Sequence, residues 1–227
     1  IQNQNGKNKL IQLGWLYLDT MNIVEHYFEE NKIFYDITNL DLLEDYLKIH
    51  GHTISAIVTE IPTNPLLQTL NENSKISMIS QEFFKHADEP YIKDIQRLAF
   101  QIKNYKNRIK NISKNTKALV EYFQKASFID EIFYCLSPKY ASNYKKLMID
   151  ENSLTGIISV TFKKDFKEVY DKLNFAKGPS LGTEFTLLMP YTYLAHYDLV
   201  TSQTGNKFLK EIGLPINLLR ISVGIEN

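Results

Sequence analysis

A chain of 227 residues is long enough to bury a substantial core and to form one or two domains. Its 26 basic residues balance its 26 acidic ones, and the resulting formal charge of +0 argues against a general nucleic-acid or membrane electrostatic footprint. The only cysteine, Cys135, excludes an intrachain disulfide framework and reads as a small core residue in a reducing compartment. With no basic-then-apolar leader and no apolar run of bilayer length, the expectation is a soluble, cytoplasmic protein.

The polar, asparagine-rich lead from Ile1 to Asn8 reads as a frayed end or a cut into a longer protein. A short strand is expected at Leu10 to Leu13, then a helix from Asp19 through Glu30. Asp19 or Thr20 would cap it, and Met21, Val24 and Phe28 would face inward. A second strand is expected at Ile33 to Asp36, a helix at Asp41 to Ile49 with Leu42, Leu43, Tyr46 and Leu47 apolar, and a strand at Ile54 to Thr59. Strand, helix and strand at this spacing predict an α/β fold with a parallel sheet. In the loop from Glu60 to Pro65, Pro62 and Pro65 push the residues before them into extended geometry, which holds Asn64 off a helix with its amide available. Ligands of open α/β sheets bind beyond the carboxyl ends of strands, where this loop would sit. An asparagine satisfying its own turn is the plainer reading.

Ile95, Leu98, Ile102, Tyr105, Ile109, Ile112, Thr116, Leu119 and Phe123 recur at alternating steps of three and four, the pattern of one long helix with a single packed face. Its lysines (Lys103, Lys106, Lys110, Lys114 and Lys117) read as a solvated face. A domain of residues 1–126 would end with this helix, and residues 127–227 would form a smaller α/β unit. That unit would hold strands at Glu131 to Leu136 and Gly156 to Lys163 and an amphipathic helix at Asp165 to Leu173. No His/Cys/Asp/Glu spacing suggests a metal site, and no Walker or Rossmann glycine pattern occurs. His196 is either an acid/base group or a hydrogen-bonded core or interface histidine.

Around Ser180, Gly178, Pro179 and Gly182 demand a sharp turn and a close backbone approach. Downstream, Leu218 to Val223 reads as a buried strand carrying a single guanidinium, Arg220, with no acid beside it before Glu226. Its partner is either a ligand carboxylate gripped by two parallel hydrogen bonds or a distant Asp or Glu.

The run KGPSLGTEFTLLMPYTYLAHYDL with LLRISVGIE resembles the carboxy-terminal part of the pyridoxal-phosphate-dependent transsulfuration enzymes, and its wording is closest to the cystathionine γ-synthase branch. Val58 to Leu67 is similar to that family's E-x-P-x-N-P-L loop, and Gly14-Trp15-Leu16-Tyr17-Leu18-Asp19-Thr20 to its G-F-P-Y-V-D-T segment. The three matches lie in the family's order and, with weaker similarity between them, cover most of the chain. The resemblance implies an aspartate-aminotransferase-like fold (fold type I) and pyridoxal 5'-phosphate as cofactor. It also implies small amino-acid substrates and a homo-oligomer built as a dimer of dimers, with no nucleic-acid or membrane partner. Arg220, with Ser180 and Leu181, would bind the substrate carboxylate. Asn64 would hydrogen-bond the phenolic oxygen of the cofactor, and Tyr17 would stack on its ring. The implied reaction is γ-replacement on an activated homoserine ester by cysteine, with β- or γ-lysis of cystathionine or γ-lysis of methionine as alternatives.

Five departures qualify the match. The tyrosine that usually precedes the family glycine aligned with Gly14 is here Leu13, and the acid of the usual Gly-x-Glu is shifted by one place in Thr183-Glu184-Phe185. The Schiff-base lysine of the family's Ser-x-Thr-Lys motif is absent, as are the aspartate that pairs with the pyridine nitrogen and the Tyr-x-Arg phosphate clamp. Ser159-Val160-Thr161-Phe162-Lys163 only echoes that motif, with Lys163 read as a solvated strand end, and Lys117 lies on the long helix. A seam near residues 69–71 marks where the text passes over the missing part. Either segments absent from this sequence have been closed up there, or the gene has lost them and the chain is a catalytically dead scaffold. A helical interaction protein built on Leu98 to Phe123 is a further alternative, disfavoured by the mixed strand and helix text.

Overall fold

The computed structural model describes residues 6–28, 30–70 and 91–226. The predicted seam is in view up to Leu70, and its continuation at residue 71 lies outside the described residues. Two sheets organise the chain. The first has three parallel strands in the order β2-β1-β3: β1 (Lys9–Leu13), β2 (Glu30–Phe34) and β3 (Ile54–Thr59). Helix α1 (Leu18–Tyr27) connects β1 to β2, and α2 (Asp41–His50) connects β2 to β3. β1 is central and four of its five residues are buried, as a parallel strand covered on both faces requires. Ile11, Leu13, Ile37, Leu43, Ile54 and Leu70 form the core of this layer.

Helix α3 (Ile92–Gln101) and helix α4 (Tyr105–Lys125) follow, separated by a 3-10 turn at Ile102–Asn104. The expected single long helix is therefore broken. Only its second half has a packed face: Ile112, Thr116 and Val120 are buried, whereas Ile95, Leu98, Ile102, Tyr105 and Ile109 are exposed. The periodicity reports one apolar face but cannot say how much of that face finds a partner.

The second sheet has the order β4-β5-β8-β7-β6 and is mainly antiparallel. Strand β4 is Ile129–Phe133, and α5 (Ala141–Leu147) leads to β5 (Ile157–Phe162). Next come α6 (Phe166–Lys172), with the Asp165 carboxylate accepting from Glu168 N–H at its amino end, and the short β6 (Ala176–Lys177), which pairs parallel to β7 (Leu187–Pro190). Helices α7 (Tyr191–Ala195), α8 (Tyr197–Thr201) and α9 (Gln203–Glu211) precede the central strand β8 (Leu219–Ser222), all of whose residues are buried. Val120 of α4 joins Ile158, Val160, Leu188, Leu219 and Ile221 in one core, which seats the helix on this sheet. A further cluster joins the two halves of the chain: Trp15 and Leu66 pack with Met189, Tyr191, Leu209, Leu214 and Leu218. Among the described residues, no helix is long and apolar enough to cross a membrane.

Several local expectations are corrected. Helix α1 starts at Leu18 and ends at Tyr27, with Tyr17 at the capping position and no side-chain cap, so neither Asp19 nor Thr20 caps it. The Tyr17 N–H is instead satisfied by the Glu60 carboxylate at 2.6 Å, across the sheet's carboxyl edge. β2 and β4 both begin earlier than their apolar runs suggest, because a strand is defined by its pairing and charged residues pair as well as apolar ones. Leu42 is 75% exposed and Leu43 carries the burial in α2.

Gly14, at the end of β1, has φ +73°, and a Cβ there would lie 2.4 Å from Thr63 Cγ2. Both the left-handed backbone and the contact with the Glu60 to Pro65 loop exclude a side chain. Gly14→Ala is expected to destabilise the protein by about 2–4 kcal/mol through backbone strain and overpacking, read as a lowered urea midpoint at unchanged slope.

Candidate functional site

The carboxyl ends of β1 and β3 and the middle of β8 converge on one cleft. β8 places Arg220 opposite Ser159 of β5 and Met189 of β7. The loop after β3 reaches across to meet it. Ser159 Oγ donates to the Pro65 carbonyl at 3.0 Å, Tyr140 Oη to the Leu66 carbonyl at 2.6 Å, and Asn143 Nδ2 to the Thr69 carbonyl at 3.1 Å. Within the loop, Thr63 N–H donates to the Gln68 carbonyl and Gln68 N–H to Thr63 Oγ1. These bonds fix Asn64, half-buried, beside Arg220.

Arg220 is 3% exposed. It donates to Asn64 Oδ1 at 3.3 Å and to the carbonyls of Pro179 and Ser180 at 2.7 and 3.3 Å. Among the described residues, none of the ion pairs includes Arg220. Glu226, the nearest acid in sequence, accepts instead from Thr186 N–H. Among the described residues, then, Arg220 has no ion-pair partner, and the buried cation is held by neutral acceptors. Burial pulls the guanidinium below its ordinary value while neighbouring Tyr191 and Tyr17 oppose the shift. Desolvating a charge without a counter-ion is costly, and a ligand anion would offset that cost.

The Gly-Pro-Ser turn presents its carbonyls to Arg220, and Ser180 and Leu181 are exposed at its crest. Gly182 is the glycine whose backbone needs freedom, at φ +72°, and its N–H donates to Ser222 Oγ at 2.9 Å, tying the turn to the end of β8. The displaced acid Glu184 faces Arg108 of α4 at 3.6 Å rather than the cleft. Tyr17 is 57% exposed and lies within electrostatic range of Arg220. The structure therefore brings together Arg220, Ser180, Asn64 and Tyr17, with Leu181 at the rim.

Two residues of the cleft escaped the sequence reading. Glu60 takes the Tyr17 N–H, and Tyr191 puts its ring 5.5 Å from the Arg220 guanidinium carbon. An aromatic immediately after β7 was visible in the sequence, but its contact depends on the pairing of β7 with β8.

As a test of the implied cofactor, Asn64 has its oxygen engaged by Arg220, which leaves its amide N–H groups to donate to a phenolic oxygen, and the exposed Tyr17 ring can cover a planar group. These residues fit that part of pyridoxal phosphate. Lys163 and Lys117 are exposed, at a strand end and on α4, and neither belongs to the cleft. Among the described residues no group of three His, Cys, Asp or Glu side chains can hold a metal ion. Cys135 is fully buried, in keeping with a core role.

His196 lies in the core. It packs against Trp15 with ring centroids 4.6 Å apart and tilted by 53°, and contacts Tyr191 at 5.9 Å; its Nε2 has no hydrogen-bond partner among the described residues, and burial lowers its pKa.

No family model matches the chain. Among characterised proteins it is 25% identical to an L-2-amino-4-chloropent-4-enoate dechlorinase/desaturase of Streptantibioticus cattleyicolor, over 100% of this chain and 58% of that protein. It is 26% identical to a cystathionine γ-synthase of Neurospora crassa, over 96% of this chain and 44% of that protein. The chain thus spans about half the length of these relatives. Among solved structures, a cystathionine γ-synthase from Xanthomonas oryzae pv. oryzae, in complex with cystathionine, superposes with a TM-score of 0.73 at 13% identity, over 97% of this chain and 72% of that one. The architecture is accordingly that of the fold type I pyridoxal-phosphate enzymes, with part of it missing from this chain.

The unfolded histidine takes up a proton near pH 6.5, whereas folded His196 resists it, so stability falls as pH drops below 6.5 toward the lowered folded value. His196→Phe is expected to flatten that part of the curve, seen as a smaller loss of denaturation midpoint between pH 7.5 and pH 5.5 than in the wild type.

Proposed function

For a chain that belongs to the pyridoxal-phosphate-dependent transsulfuration family, we propose that the complete protein removes the γ-substituent of an α-amino acid, and that its specific reaction is γ-replacement on an activated homoserine ester by cysteine. The observation that carries this reading is Arg220: a buried guanidinium with neutral acceptors, no carboxylate partner among the described residues, and Asn64 alongside. Pyridoxal phosphate, when bound, supplies the electron sink that makes bond breaking at an amino acid's carbons feasible.

The chain's own part is binding and orientation. Arg220 grips the α-carboxylate, and the incoming oxygens displace the longer bond to the Ser180 carbonyl before the shorter one to Pro179. Fixing the carboxylate would fix the orientation of the bonds at the substrate's α-carbon within the site. Asn64 and Tyr17 would hold the cofactor at its phenolic oxygen and its ring. Pro65 and Leu66, which follow Asn64 directly, are both buried. Loss of a γ-substituent without replacement is a second reading, favoured by the likeness to the dechlorinase/desaturase, which covers the whole chain and whose named substrate carries its chlorine at the γ-carbon. Oligomerisation as a dimer of dimers and a role in methionine and cysteine metabolism go with the synthase reading.

The protein expressed from its complete gene, incubated with pyridoxal phosphate and desalted, is expected to retain an absorbance band near the visible edge that borohydride fixes covalently. Failure to retain the cofactor would overturn the enzyme reading in favour of a scaffold. With activated homoserine ester and cysteine, the thioether product supports replacement, and keto acid with ammonia supports elimination. Arg220→Lys is expected to lower kcat/KM by roughly 100-fold, about 3 kcal/mol, because an ammonium cannot reproduce the planar fork.

A further inference from the structure

We infer that Tyr191 is a positioning residue for Arg220, an aromatic platform that steadies the buried guanidinium without occupying the N–H groups a substrate carboxylate needs; this rests on the carboxylate-binding role of Arg220 proposed above. Tyr191 is 4% exposed and opens α7, directly after β7. Its N–H donates to the Leu218 carbonyl at 2.9 Å, two residues before Arg220 on the neighbouring strand, and Met189 pairs with Arg220 itself. Ring and cation are thus fixed to each other through the β7–β8 ladder, with the guanidinium carbon over the ring at 5.5 Å.

The chemistry follows from what else could hold a cation there. An aspartate or glutamate would keep Arg220 charged, but it would fill the fork that the substrate must enter. A quadrupolar ring face attracts the cation through its π-cloud and takes none of its N–H donors. The phenol could undo this by ionising, yet burial pushes its pKa up to about 12, so at neutral pH the ring is uncharged and does not compete with a carboxylate. Asn64, Pro179 and Ser180 supply neutral oxygens from the other elements around the guanidinium. Trp15, Leu66, Met189 and Leu218 wedge the ring in place.

The decisive property is the ring and not the hydroxyl, so Tyr191→Phe and Tyr191→Leu should separate. The chain has three arginines, Arg97, Arg108 and Arg220. In the complete protein labelled with ¹⁵N-arginine, the Nε–H signal of Arg220, identified by its loss in Arg220→Lys, is expected to be ring-current-shifted in the wild type and in Tyr191→Phe and to return toward the ordinary position in Tyr191→Leu. In steady-state assays of the holoenzyme, Tyr191→Leu is expected to raise KM for the amino-acid substrate about five- to thirtyfold with kcat within about threefold, while Tyr191→Phe stays near wild type. Tyr191→Met, unbranched and without a π face, repeats the test should Tyr191→Leu fail to fold by circular dichroism. Equal signals in all variants, or a Phe variant as impaired as Leu, would overturn the platform. A wild type that turns over no amino acid would overturn the role toward substrate, and an intact ring-current shift would then trace the failure to the assignment of Arg220 rather than to the Tyr191 contact.

Discussion

The cleft depends on a cation buried with no counter-ion among the described residues. β8 is central in its sheet, paired on both sides, and Arg220 rides on it at 3% exposure. A charge in such a place normally neutralises, pairs or moves. Here the chain instead surrounds it with weak partners: an asparagine oxygen, two backbone carbonyls and an aromatic ring. Each reduces the desolvation cost, and none cancels the charge. These partners leave an electrostatic demand that the carboxylate proposed as substrate anchor would meet.

The rest of the architecture explains how those partners stay in place. The loop from Glu60 to Leu70 leaves the parallel sheet, yet its carbonyls are taken by Ser159, Tyr140 and Asn143, all from the carboxy-terminal half. Gly14 makes room for Thr63, which in turn closes the loop on itself. The Gly-Pro-Ser turn is held from the opposite side by Ser222, two residues beyond Arg220. Its crest at Ser180 and Leu181 stays exposed, so the bonds to the cation from this side are the ones a ligand can displace with little loss of packing. Rigidity from below and exchangeable contacts above suit the carboxylate binding proposed for Arg220.

Much of this was legible in the chain before folding was considered. The parallel sheet followed from strand and helix spacing, and β3 falls where the run Ile54 to Thr59 put it. Arg220 stood out because one guanidinium in an apolar strand is anomalous, and Asn64 because two prolines hold it extended. Other features were not legible, for identifiable reasons. The helical stripe from Ile95 to Phe123 looked continuous, but the turn at Ile102–Asn104 and the exposure of its first half depend on what lies across from it. Leu42 and Leu43 are alike in composition, and only the docking of α2 separates the exposed one from the buried one. Glu60 reads as an ordinary loop acid until α1 turns the Tyr17 N–H toward it.

By itself, then, the sequence determined the α/β class and most of the strands and singled out Arg220, because these depend on local periodicity, turn chemistry and the presence of groups that cannot be buried cheaply. The tertiary structure alone decided who accompanies Arg220. Asn64 is 156 residues away from it, the Pro179 carbonyl 41, and Tyr191, just past the end of the neighbouring strand, 29. Such partnerships are set by strand register and by the closing of long loops, and no local pattern encodes them.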